Sequence, residues 1–294
     1  MFAGISKAVL VRCSFVKTKA SSHDTNDLQI MSMISKENET VELTGPDLIP
    51  KPLKIDQSSV DSWLTDLESS MATTLISLLA AGIKSLPTKS PETQSPDADQ
   101  IRVANSWYSW LRVIPAQVAC LTLQVSWTLT IQKAFQDEGD NTRVIGEIVD
   151  ERIYRAKCDL SDMIRFMTEC VLRPNMILVS SQGNTSTSGS ILCQVTETIQ
   201  STHSISFHLM RRKCEQLITE LVHKRDSTNL LQSNRVICST DSGWLFQARV
   251  YPEFGNDCID GCNLRMANTT LAHSFEYTGI GDKLVQTPLT DRCF

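Results

Sequence analysis

Residues 59–81 read SVDSWLTDLESSMATTLISLLAA. Val60, Trp63, Leu64, Leu67, Met71, Leu75, Leu78 and Leu79 recur every three or four positions, the spacing that gathers apolar side chains on one face of an α-helix. Ser58 or Ser59 supplies an N-cap, Asp61 suits the positive end of the helix dipole, and Gly82 reads as the stop. A stripe this regular needs an apolar partner, and the chain offers several. Residues 101–112 and 115–136 are helical, the second opened by Pro115 and striped with Val118, Leu121, Val125 and Leu129. Trp107, Trp110 and Trp127 bring large areas to that pair of helices. Residues 141–175 form a further helix, and 204–226 another, lined by Met210, Cys214, Leu217, Ile218, Leu221 and Val222.

Between and around these lie other textures. Residues 31–54 alternate weakly and run into Pro46, Pro50 and Pro52, as loops and edge strands do. The stretches 84–100 and 180–190 are polar surface loops. From Trp244 to Tyr251 and from Ser274 to Thr278, aromatic and β-prone residues flank turn signals and read as short strands. The expected fold class is therefore mainly α: an antiparallel helical bundle or rod with short C-terminal β-strands. Its expected parts are an irregular segment 1–57, a helical bundle 58–242, short strands over 243–281 and a separate beginning at 282–294.

Composition excludes several functions. With 41% hydrophobic and 21% charged residues in 294, the chain buries an ordinary core. A net charge of -5 without a long Lys/Arg stripe argues against a nucleic-acid binder. No run of about 18 apolar residues offers a membrane span. Ten cysteines at irregular spacing include no CxxC, and Cys258 and Cys262 lack the matching pair that structural zinc requires, so no metal site is expected. Five histidines (His23, His203, His208, His223, His273) are scattered. Arg211-Arg212-Lys213 reads as a solvated helix face, and Glu220 with Lys224 as a helical ion pair of favourable orientation.

The end of the chain carries a family resemblance. Phe275-Glu276-Tyr277-Thr278-Gly279, then residues 282–294 (DKLVQTPLTDRCF), resemble the entry into the first AAA module of dynein heavy chains, most closely the cytoplasmic form. Residues 217–226 (LITELVHKRD), Pro115-Ala116-Gln117-Val118 with Gln124-Val125-Ser126-Trp127, and Val60-Asp61-Ser62-Trp63-Leu64 are similar to helices of the dynein linker, in the same order. The likeness covers roughly 31–80, 105–135 and 205–294. It implies a linker end running into a truncated AAA module, hence a fragment of a minus-end-directed microtubule motor of the cytoplasm and cytoskeleton. Expected partners are the AAA ring of the same heavy chain, the intermediate and light intermediate chains and, indirectly, microtubules.

By the same resemblance, Leu284, Val285, Pro288, Leu289 and Thr290 wrap the adenine of ATP in a complete motor, since adenine takes a flat apolar slot with backbone hydrogen bonds. ATP and Mg²⁺ would belong to that parent motor. The chain itself is expected to be no enzyme, because no GxxxxGK[ST] phosphate loop occurs in it. The competing expectation is a non-motor helical scaffold built from the same helices.

Overall fold

The computed structural model describes residues 15–17, 28–54, 60–87, 107, 109–135, 142–172, 192–255 and 258–281. The chain is mainly helical with small antiparallel sheets. Three short strands, β1 (Phe15–Lys17), β2 (Leu28–Ile30) and β5 (Leu53–Lys54), pair in the order β1-β2-β5, while β3 (Ser32–Ile34) pairs with β4 (Thr40–Glu42). Residues 31–54 were expected as loop or edge strand, and definite short strands only after residue 243. They form here because Met33, Val41 and Leu43 turn inward on the pleat and are buried in the main core.

Helix α1 (Val60–Lys84) buries Leu75 and Leu79 and lays Trp63, Leu67 and Met71 against the core. It runs through Gly82 instead of ending there. Gly82 is a close-approach position: a Cβ would stand 2.8 Å from Thr122 Oγ1 of α2 (Ala116–Ala134). Helix α2 is buried on nearly every side, from Ala116 and Val118 through Trp127 to Ile131, and so forms the centre of the fold. Helix α3 (Thr142–Leu172) packs Val149 and Ile153 on Ala134 and Phe135 at the end of α2. Helix α4 (Leu192–Ser233) extends past both ends of its expected span.

The helices are not all antiparallel. Lys213 bonds the Leu111 and Ile114 carbonyls, Gln124 bonds Glu220, and Trp127 bonds Thr228. Residue numbers rise together along both helices, so α2 and α4 run parallel. Parallel neighbours need a return segment between them, and α3, in contact with both, lies between them in the chain.

The short helix α5 (Ser242–Leu245) is capped by Asp241, whose carboxylate accepts from Gly243 N at 2.7 Å. Trp244 was expected in a strand. It sits in this helical turn because its buried ring fills the space beside Trp127 and Phe135, each 5.5 Å away between centroids. Trp107 and Trp110 pair edge to face with each other, and Trp127 belongs to this other cluster. The last strands, β6 (Arg249–Gly255), β7 (Cys258–Met266) and β8 (Thr269–Ala272), form an antiparallel meander, and Val250 N is tied to Thr128 Oγ1 of α2. Residues 274–278 join no strand. The expected caps at Ser58 and Ser59, the loop at 180–190 and the segment 282–294 lie outside the described residues. No helix among the described residues is long and apolar enough to cross a membrane.

Gly82 gives a test of the α1–α2 contact. On a free helix face, Gly→Ala stabilises by about 1 kcal/mol. Here Gly82→Ala is expected to destabilise by about 1–3 kcal/mol in urea unfolding, through overpacking. Adding Thr122→Ala, which removes the atom in the way, should recover most of the loss.

Candidate functional site

Glu39, immediately before β4, is a buried carboxylate with partners from three separate parts of the chain. It is 3% exposed, and its neighbour across the interface, Lys213 of α4, is 5% exposed. Lys213 Nζ lies 2.6 Å from Glu39 Oε1 and donates to the Leu111 and Ile114 carbonyls at 2.9 and 3.1 Å. The other face of the carboxylate meets the start of α2. Pro115 stands at the N-cap position and gives no side-chain cap. Glu39 takes over that role from 77 residues away, accepting from Ala116 N at 3.1 and 3.3 Å. A negative charge at a helix N-terminus is favoured by the free N–H groups and the dipole. The Tyr277 hydroxyl completes the junction, 3.2 Å from the Glu39 carbonyl and 3.3 Å from Oε2. Burial first, and the nearby Glu39 charge second, push the Tyr277 phenol well above its ordinary range.

The segment carrying Tyr277 is held from α2 as well. Gln117 Nε2 donates to the Glu276 carbonyl at 2.6 Å, and Gln117 Oε1 accepts from Thr278 N at 2.8 Å and Gly279 N at 3.2 Å. The amide side chain thus stands in for a neighbouring strand, which is why 274–278 needs none. Gly279 has φ +70, and a Cβ there would be 2.3 Å from Ser35 Cβ, so only glycine fits both the backbone and the wall. Phe275, buried, also has a left-handed backbone (φ 53), held in part by its N–H donating to His273 Nδ1 at 3.0 Å. Burial lowers the pKa of His273, which keeps that nitrogen free to accept.

A second buried polar cluster lies along α2 and α4. Glu220 and Lys224 are buried, not a surface pair: Nζ is 4.0 Å from Glu220 Oε1 and 4.5 Å from the Trp127 ring centre. Gln124 donates to Glu220 at 2.8 Å. Burial pulls the Lys224 pKa down to about 8. Lys213, read from the sequence as part of a solvated basic run, is likewise an interior residue, whereas Arg211 and Arg212 face solvent beside Glu215. His208 and His223 are exposed on α4. Cys262 is buried in β7, its thiol pushed up to about 12 by burial and by Glu253. The adenine-side residues Leu284, Val285, Pro288, Leu289 and Thr290 lie outside the described residues.

No family model matches the chain. It is 30% identical over 267 residues to the cytoplasmic dynein heavy chain of Neurospora crassa, a match spanning 90% of the chain and 5% of that protein. Against the cytoplasmic dynein heavy chain of Dictyostelium discoideum it is 30% identical over 296 residues, covering 100% of the chain and 5% of the relative. This chain is homologous to a stretch of the dynein heavy chains. Dynein axonemal heavy chain 2 of Homo sapiens matches at 26% over 238 residues, 81% of the chain and 4% of that protein. The chain therefore spans about a twentieth of the length of the curated relatives it matches.

Sequence reading missed Glu39, Gln117 and Tyr277 as a unit. The signals were present separately: Glu39 shares the inward parity of Val41 and Leu43, and Gln117 and Tyr277 sit in two of the blocks that carry the resemblance.

Two measurements probe the junction. Lys213→Met leaves the Glu39 carboxylate buried without its counter-charge and should cost about 3–5 kcal/mol in urea unfolding. Glu39→Gln in the same background should add much less than it does alone. For His273, a folded-state pKa below the usual 6.5 means that the stability it contributes is present above 6.5 and is lost as pH falls through that value towards the folded pKa. His273→Asn, which keeps an acceptor that does not titrate, should flatten the decline in melting temperature below pH 6.5 relative to the parent chain.

Proposed function

We propose that the chain is the end of a dynein linker together with the first residues of the AAA module that follows. The helical bundle and its C-terminal strands, to about residue 281, would be the mechanical element, and 282–294 would open the module. What carries the reading is an alignment that runs across 90–100% of the chain against cytoplasmic dynein heavy chains. The clasp of Gln117 and Glu39 on residues 276–279 supports it, because a lever must be joined firmly to what drives it.

In this reading the residues transmit force and perform no chemistry. Nucleotide turnover belongs to the rest of the heavy chain, whose AAA ring supplies the phosphate contacts and Mg²⁺. Leu284, Val285, Pro288, Leu289 and Thr290 would form one apolar wall of the adenine slot in that complete motor. The assembled protein would act on microtubules in the cytoplasm, with intermediate and light intermediate chains as partners.

A chimera tests this. The corresponding segment of the Dictyostelium discoideum heavy chain is replaced by this chain, and microtubule gliding is recorded with ATP. Gliding is expected to persist, while the isolated chain releases no phosphate with or without microtubules. A folded chimera whose ATPase runs but whose microtubules stay still would sink the linker reading. So would phosphate release by the isolated chain that disappears when one of its own residues is changed.

A further inference from the structure

Residues 275–281 are bound to the fold in an unusual way. They make no strand ladder, and among the described residues their link back to the preceding sheet runs only through Phe275, whose N–H donates to His273 Nδ1, and His273, whose N–H donates to the Cys262 carbonyl of β7. Gln117, in the first turn of α2, bonds Glu276, Thr278 and Gly279, and its Oε1 also accepts from the Thr278 hydroxyl at 3.2 Å. Tyr277, between these, bonds Glu39 through its hydroxyl. Ser35 walls the far side of Gly279. All these partners are distant in sequence, the nearest pair separated by 159 residues.

Order along the chain decides where a pull goes. Tension applied from beyond residue 281 meets Gly279 and Thr278 first, then Tyr277 and Glu276, and only afterwards Phe275 and His273, which is bonded to β7, and β8 at Ala272. At each of the first four positions the load passes to Gln117 or Glu39. Both attach to the first turn of α2, and Glu39 passes load on to Lys213 of α4. From Gln117, Glu39 and Tyr277 we infer that residues 276–279 form a mechanical clamp, which channels tension from the C-terminal side into the N-terminal end of α2 and shields the β6–β8 sheet. Gln117 is its main positioning residue. The mechanical use of the clamp rests on the linker reading, but the clamp itself is a property of this chain and is tested on it alone.

The experiment is constant-force pulling of the full chain in an optical trap. Handles are attached through unnatural amino acids at Ser233, exposed at the end of α4, and at the C-terminus. The first extension should be short, freeing the segment up to residue 275, with the sheet still folded. Gln117→Leu removes every clamp bond from α2 and should raise the rate of that first event roughly tenfold or more, since several hydrogen bonds go at once. Tyr277→Phe should raise it by a smaller factor, and Gln117→Glu, which keeps the acceptor and loses the bond to Glu276, by an intermediate one. Leu264→Ala, in β7, should leave it unchanged. A first event indifferent to both Gln117→Leu and Gln117→Glu overturns the inference. So does a first event that Leu264→Ala accelerates, whatever the Gln117 variants do. Either result would leave the gliding outcome of the chimera untouched, so the two readings fail separately.

Discussion

A carboxylate kept 3% exposed between a helix start, a buried ammonium and a phenol constrains everything around it. Desolvation of both charges is costly, and their attraction offsets it only with good geometry and satisfied hydrogen bonds. That condition dictates details that otherwise look unrelated. The α2 N-terminus begins at a proline without its own cap because Glu39 fills the role. The residues before it end with the Leu111 and Ile114 carbonyls aimed at Lys213, since an ammonium has three donors to satisfy. Helix α4 lies parallel to α2, at the height where Lys213 reaches the junction and Thr228 meets Trp127. One ionic centre thus ties the start of α2 and the middle of α4 together at one height.

The same interface uses polar groups again further along. Glu220, Gln124, Lys224 and Trp127 form a second patch, about seven residues on from Lys213 along α4. Two polar registers on one apolar seam act as a key: sliding α4 by a turn would bury charges against hydrocarbon. Removing one partner of such a buried pair leaves the other charge without compensation, which is strongly destabilising.

Much of this was legible in the sequence, and the rest was hidden for physical reasons. Helices α1 and α4 announce themselves by apolar spacing, because burial selects one face of a helix and leaves a period behind, whereas α2, buried on nearly every side, is marked by its apolar content and by Pro115 at its start. Their directions do not, since a stripe has no arrow; only the contacts of Lys213, Gln124 and Trp127 supply one. Lys213 was hidden inside a basic triplet, although it falls in phase with Met210, Leu217 and Glu220 and so had to share their buried face. Strands β1 to β5 are too short to leave a pattern that outweighs the prolines near them. Residues 274–278 have the look of a strand because of their aromatic and β-prone side chains, but their backbone partner is an amide side chain about 160 residues earlier, which no local pattern encodes. The clamp could have been guessed at only as a coincidence of two blocks similar to one family.

The separation of 238 residues between Tyr277 and Glu39 has a bearing on how the protein comes into being. A ribosome adds roughly 5–20 residues per second, so Glu39 waits on the order of tens of seconds after its own synthesis before Tyr277 exists to meet it. Lys213 arrives in between. During that interval Glu39 lacks all three partners until Ala116 is made, two until Lys213 is made and one until Tyr277 is made, so the start of α2 is in hand first. The order of synthesis therefore favours early closing of the carboxylate onto Ala116, with the ammonium and the phenol added in turn. The nascent chain carries an unfinished ionic centre until its C-terminal clamp has left the exit tunnel, and that is the period in which a chaperone would find the most to hold.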